Sequence, residues 1–158
     1  MNDSRVIKTT VELTGEGDYK KKMNEVALAL KGVDAQFKAT NAQFGKNDKS
    51  LAALSLRYDA YTDKLDLQRK KMELIREEYD KIVADQGENS ETARKLAVEY
   101  NHLSEQTQRT EQALEKVGKQ LRIGKEEADA SGESWPTPHL RRRSWGTRQK
   151  MLLESYAR

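Results

Sequence analysis

The segment LAALSLRYDAYTDKLDLQRKKMELIREEYDKI, residues 51–82, decides the fold. Leucine, tyrosine, methionine and isoleucine recur in it at alternating spacings of three and four residues, with the polar Gln68 as an exception. This spacing places the apolar side chains on one face of an α-helix, and its seven-residue period is typical of coiled coils. Because the segment contains neither glycine nor proline, it predicts one long helix.

The same heptad frame continues on both sides of this segment, which predicts long coiled-coil helices over most of the chain. Val26 and Val33 fit the frame, whereas Thr40, Asn47, Asn89 and Thr110 are polar exceptions like Gln68. Oppositely charged residues four apart, acid first, support the helices at Asp66 and Lys70, Glu77 and Lys81, Glu91 and Lys95, and Glu115 and Lys119. The predicted core, which is also the candidate interaction surface, consists of Met23, Leu30, Phe37, Phe44, Leu51, Leu54, Tyr58, Tyr61, Leu65, Met72, Ile75, Tyr79, Ile82, Leu96, Tyr100, Leu103, Leu114, Val117 and Leu121.

Two similar segments interrupt the helical pattern: GKNDKSLAAL from Gly45 and GENSETARKL from Gly87. In each, glycine is suited to end one helix, and Asp48 or Ser90 is suited to cap the next. We therefore expect helices over 18–44, 48–86 and 90–123, with breaks near 45–48 and 87–90. Short connections of this kind favour antiparallel, hairpin-like neighbours. The heptad phase survives both breaks, however, and one continuous helix remains the alternative.

The N-terminal segment RVIKTTVEL, residues 5–13, has a different pattern. Its alternating side chains predict a short β-strand, followed by a turn and by Asp18 as the cap of the first helix. A lone strand leaves its edges unpaired, so this one would need a partner strand. The predicted fold class is thus all-α, with long coiled-coil helices preceded by one short strand.

Composition narrows the functional classes. The chain of 158 residues is 35% charged and 6% aromatic, with no cysteine and two histidines, which excludes disulfides, thiolate chemistry and an all-histidine metal site. His102 lies beside the heptad stripe, where a solvated imidazole is the ordinary state. We expect no catalytic residues, no cofactor, no metal and no small-molecule substrate. The N-terminus resembles no export signal and no apolar run is long enough to span a membrane, so we expect a cytoplasmic protein.

One resemblance is carried by VELTGEGDYKKKMNEV, FGKNDKSLAAL and QGENSETARKLAVEYNHL. Together they resemble the N-terminal region of tail tape measure proteins from phages of Gram-positive bacteria, over about residues 5–130. The resemblance implies a virion structural protein that takes part in tail assembly and tail length determination. It also implies self-association, contacts with tail assembly chaperones and with tail tube or baseplate proteins, and a place in the virion tail after assembly in the host cytoplasm.

The stretch SWPTPHLRRRSWGTRQK, residues 134–150, departs from everything before it. Tape measure proteins are far longer, so we expect a fragment, a truncated product or a degenerate prophage remnant. Residues 124–158 are predicted to form an irregular tail, and residues 136–158 within it to arise from a frameshift after about residue 135. Arg141, Arg142 and Arg143 leave nucleic-acid binding as an alternative, although nucleic acid is not the expected partner. A cytoplasmic coiled-coil scaffold or adaptor is the other alternative.

Overall fold

The protein consists of three long α-helices. The computed structural model describes the backbone of residues 3–132 and the side chains of residues 17–132. Helix α1 covers Asp3–Phe44, α2 covers Leu51–Gln86 and α3 covers Glu91–Ala130. The prediction of an all-α fold is therefore confirmed for the described part of the chain.

The predicted strand over 5–13 is not shown, and the structure includes these residues in α1. A helix satisfies its backbone hydrogen bonds within itself, whereas an isolated strand leaves them unpaired. The predicted cap at Asp18 is wrong for the same reason, since Asp18 lies inside the helix. Its carboxylate instead pairs with Lys22, at 2.9 Å between Oδ2 and Nζ.

Both turns between the helices begin at a glycine in the left-handed conformation. The φ angles of Gly45 and Gly87 are 78° and 86°, which a residue with a Cβ atom rarely adopts. Each glycine N–H donates to the carbonyl four residues back, that of Asn41 at 2.9 Å and that of Val83 at 3.0 Å. The helices thus end where the sequence places its two glycine breaks.

Serine residues cap the helices that follow the turns. Ser50 Oγ accepts the N–H of Ala53 at 3.4 Å, and Ser90 Oγ accepts that of Ala93 at 3.2 Å. Ser90 is the predicted cap of α3, but Asp48, predicted for α2, lies two residues too early. Its carboxylate accepts the Ser50 N–H at 2.7 Å, which holds the pKa of Asp48 below its usual 3.8.

Consecutive helices pack antiparallel. Between α1 and α2, Asp34 pairs with Lys64 at 3.0 Å, and further along α1 the Phe37 ring lies 4.5 Å from that of Tyr61. Between α2 and α3, salt bridges join Arg69 to Glu111 at 2.8 Å and Lys71 to Glu99 at 3.0 Å. In both helix pairs the partner number falls as the residue number rises, which is the pattern of an antiparallel hairpin.

All three helices meet in one of two hydrophobic clusters. Tyr19 and Met23 of α1 pack against a cluster formed by Ile75 of α2 with Leu96 and Leu103 of α3. The second cluster joins α1 to α2 and is formed by Val26, Val33, Ala60 and Leu67. Residues up to Gly124 form one compact unit, so this unit is an antiparallel three-helix bundle.

The chain beyond Gly124 is a second unit. Its described part contains the last turns of α3 and ends at Gly132, whose φ of 73° suits a helix end. Residues 124–130 are thus helical, and the prediction of an irregular tail from 124 onward is wrong for them. Lys125, Glu126 and Glu127 are good helix formers, so α3 can continue through these seven residues without an apolar heptad pattern. The remainder of the predicted tail, 133–158, lies outside the described residues.

Candidate functional site: the helix stripe and the groove at the α1–α2 turn

Most members of the predicted interaction stripe are covered only in part. Buried members are Leu54, Leu65, Ile75, Leu96, Leu103 and Val117. Partly buried members are Met23, Leu30, Phe37, Phe44, Leu51, Tyr61, Met72, Tyr79, Ile82, Tyr100, Leu114 and Leu121. Tyr58 is 38% exposed, although its ring still lies against Gly118 of α3. The stripe therefore forms the contacts within the bundle and keeps accessible apolar surface as well.

A second stripe on α2 was missed from the sequence. Its buried members are Ala53, Arg57, Ala60, Leu67 and Glu78, which lie beside the predicted stripe. They are buried because α2 has a neighbour on two sides, α1 and α3. The signal was present in the sequence, since Ala53, Ala60 and Leu67 recur every seven residues. The prediction assumed one apolar face for each helix, so it did not include these positions.

The buried Arg57 joins α2 to the end of α1. Its guanidinium donates to the carbonyl oxygens of Gly45 and Asp48, and to Asn41 Oδ1 at 3.3 Å. Only 9% of Arg57 is exposed. Carbonyls at the C-terminus of a helix have no partner within the helix and carry the negative end of its dipole. Arg57 thus donates to two carbonyls of the α1–α2 turn and places a positive charge close to the C-terminus of α1.

Beside Arg57 lies an open groove between the α1–α2 turn and α3, which we term the turn groove. It has a volume of about 830 Å³, and the contacting rings of Phe37 and Tyr61 form part of its wall. Lys46 and Lys49 from the turn and Lys116 from α3 also line it. Within the described part of the chain, no ion pair joins any of these three lysines to a carboxylate. The acidic Asp48 lines the groove as well, with its carboxylate accepting the Ser50 N–H. The turn groove therefore combines an aromatic wall with an excess of positive charge.

A second groove, of about 400 Å³, lies midway along the bundle and contains the polar exception Gln68. Gln68 is 3% exposed, and its Oε1 has no hydrogen-bond partner. Thr110, another polar exception, also lines this groove and donates its hydroxyl to the Gln106 carbonyl at 3.0 Å. These polar residues replace leucine-like side chains at the centre of the bundle, which lowers the apolar contact there.

Ionisable groups in the bundle show modest electrostatic effects. Burial raises the pKa of Tyr19 to about 12, and the nearby carboxylates of Glu99 and Glu78 add to the shift. The predicted pairs Glu91 with Lys95 and Glu115 with Lys119 form at 2.7 Å and 2.6 Å. Lys81 pairs with Glu78 at 3.8 Å, and not with the predicted Glu77.

Among residues 17–132, no group of three or more histidine, cysteine or acidic side chains is arranged to hold a metal ion. His102 is exposed on α3. None of the helices that the structure describes is both long enough and apolar enough to cross a membrane.

Comparison with protein-family models, curated proteins and solved structures finds no match to this chain. The resemblance to tape measure proteins accordingly depends on the residues quoted for it.

Proposed function

We propose that this chain is a non-enzymatic structural protein that acts through helix–helix association, as the N-terminal region of a phage tail tape measure protein. The observation that carries this proposal is the incomplete burial of the heptad stripe along all three helices. Such a stripe binds a further helix, which gains the apolar contacts that the bundle leaves unused. In this proposal the helices pair with their additional partner as a coiled coil.

The stripe on α3 gives the clearest support. Leu114 and Leu121 occupy equivalent heptad positions and remain partly exposed, with the buried Val117 between them. Their surroundings are charged, as in the Glu115 and Lys119 pair, and a charged border around an apolar stripe is typical of a helix-docking surface. The partners that we propose are a second copy of the chain, tail assembly chaperones and tail tube or baseplate proteins, in the host cytoplasm and then in the virion tail.

Association through the stripe is tested by sedimentation of the full chain at about 0.5 M salt, which screens contacts between exposed charges. We expect association that the double variant Leu114→Gln and Leu121→Gln weakens. The matched control is Leu28→Gln with Val98→Gln, because Leu28 and Val98 are exposed at 56% and 69% and lie outside the stripe. Equal weakening by both variants would contradict a specific role for the stripe, and circular dichroism verifies that each variant folds.

The tail identity needs a separate test. Mass spectrometry of particles released by the strain that carries the gene should detect peptides from residues 17–124 in the tail fraction. Genes on either side of it should encode other tail proteins. If the peptides stay in the cytoplasmic fraction and the neighbouring genes are unrelated to tails, the scaffold or adaptor alternative replaces the tail proposal. The nucleic-acid alternative depends on Arg141, Arg142 and Arg143, which lie outside the described residues.

A further inference from the structure

The turn groove and the α2–α3 turn, at opposite ends of the three-helix bundle, differ in the sign of their excess charge. At one end is the turn groove with Lys46, Lys49 and Lys116. At the other end, α2 and α3 are joined by the sequence DQGENSE, residues 85–91, which contains three acidic residues and no basic one. Because α2 runs from the first end to the second, one molecule cannot bring its own α2–α3 turn to its own groove.

The acidic side chains of the α2–α3 turn are available for contact. Asp85 and Glu88 are exposed, and neither forms an ion pair within the described part of the chain. Glu91 is also exposed and is held by Lys95 at 2.7 Å. The turn is short: Gly87 ends α2 with a φ of 86°, and its carbonyl accepts the Ser90 N–H at 3.2 Å.

We propose that the α2–α3 turn of one copy docks into the turn groove of a second copy. The carboxylates of Asp85 and Glu88 then lie among the ammonium groups of Lys46, Lys49 and Lys116, and each of the two carboxylates acquires a partner of opposite sign. Contacts of this kind join different surfaces of the two molecules, so copies add head to tail. This inference goes beyond the function proposed above and does not rest on the tail identity.

Such a contact is weak and depends on salt, because exposed ion pairs are individually weak and are screened. In sedimentation velocity of the full chain at about 0.02 M salt, the weight-average sedimentation coefficient should rise with protein concentration. The rise should be lost, or reduced to the contribution of the helix stripe, at about 0.5 M salt. A coefficient that stays at the monomer value at low salt overturns the proposal.

Charge reversal identifies the two surfaces. The groove variant, Lys46→Glu with Lys49→Glu, and the turn variant, Asp85→Lys with Glu88→Lys, should each have a dissociation constant raised about tenfold or more at low salt. The control, Lys31→Glu with Lys70→Glu, changes the net charge as much as the groove variant at exposed positions elsewhere, and should retain association.

The decisive measurement is an equimolar mixture of the groove and turn variants. Each variant alone meets only like charge, but the mixture offers an acidic groove to a basic turn and a basic groove to an acidic turn. Association should therefore return to near the wild-type level, which a merely structural role of these residues would not produce. If the mixture sediments like its separate components, the proposed contact is wrong, whatever the outcome for the helix stripe or the tail identity. Thermal melting of each variant verifies that the bundle is intact.

Discussion

Replacing Arg57 by methionine should destabilise the bundle by about 2–4 kcal/mol. The guanidinium makes hydrogen bonds to two carbonyl oxygens at the α1–α2 turn and a longer one to Asn41 Oδ1. Bonds from a charged donor contribute about 1.5–3 kcal/mol each at most, and a cation at a helix C-terminus adds about 0.3–1 kcal/mol. These contributions sum to about 3–7 kcal/mol. The turn faces an open groove, so water will solvate part of what the variant leaves unpaired, and the expected loss of about 2–4 kcal/mol lies around the lower end of that sum.

Methionine is chosen because it keeps an unbranched apolar stem in the place of the arginine stem, so packing against α1 is largely retained. The free energy of unfolding is measured by urea titration at about 0.5 M salt, with helical circular dichroism as the signal, so that salt-dependent association does not contribute. The stability of Arg57→Lys should lie between those of the wild type and Arg57→Met. Lysine keeps the positive charge, but its ammonium group lacks the planar, forked donors with which the guanidinium bonds two separate carbonyls.

The matched control is Arg69→Met. Arg69 is on the same helix and pairs with Glu111 at 2.8 Å, but the side chains of this pair are 59% and 45% exposed. Exposed salt bridges contribute about 0–1 kcal/mol, so this variant should change the stability little. If Arg57→Met costs no more than Arg69→Met, the role assigned to Arg57 at the end of α1 is refuted.

Other substitutions test the helices and turns, each by urea titration unless stated. Gly32→Ala should stabilise the chain by about 0.5–1 kcal/mol, because the added Cβ meets no atom within 4 Å and alanine favours helix. Gly87→Ala should destabilise it by about 1–2 kcal/mol, since its φ is 86°. The pKa of Asp48 is lower in the folded chain than in the unfolded chain. The ionised carboxylate therefore stabilises the fold above its ordinary pKa, and this stabilisation is lost as the pH falls through the pKa of the folded chain. Asp48→Asn should remove that part of the pH dependence of the thermal midpoint. Tyr100→Pro should cost about 3 kcal/mol or more and lower the helical circular dichroism.

The heptad pattern predicted the contacts between α2 and α3 because leucine and isoleucine at seam positions have one strong preference, burial. Ile75, Leu96 and Leu103 are buried together for this reason. On the α2 side, the seam with α1 was harder to predict, since it uses alanine and the stem of a charged residue. Ala60 is buried, but alanine contributes little to a hydrophobic pattern. Arg57 would be predicted to lie on the surface, because the sequence does not show that the carbonyls of the α1–α2 turn bind its guanidinium.

A related physical reason favours helix over the predicted strand, which the structure does not show. Alternation of β-branched residues over 5–13 is a local preference worth little per residue, and backbone hydrogen bonding overrides it when no partner strand is present. The turn groove could not be predicted either. Lys46 and Lys116 are distant in the sequence, and only the antiparallel packing of the helices brings them to one surface. From the sequence alone, both are interpreted as ordinary solvated lysines.

The two seams of α2 have a consequence for the order in which the chain folds during synthesis. Contacts link each helix to the next through short turns, so the separation between contacting residues is small and folding should be rapid. Once Gln86 has left the ribosome, α1 and α2 can already form a hairpin, with Arg57 bonded to the α1–α2 turn. The seam of α2 that contacts α3 remains uncovered until α3 follows. During that interval the nascent chain exposes Ile75 and its neighbours, and this is the stage at which a chaperone would find the largest apolar surface to bind.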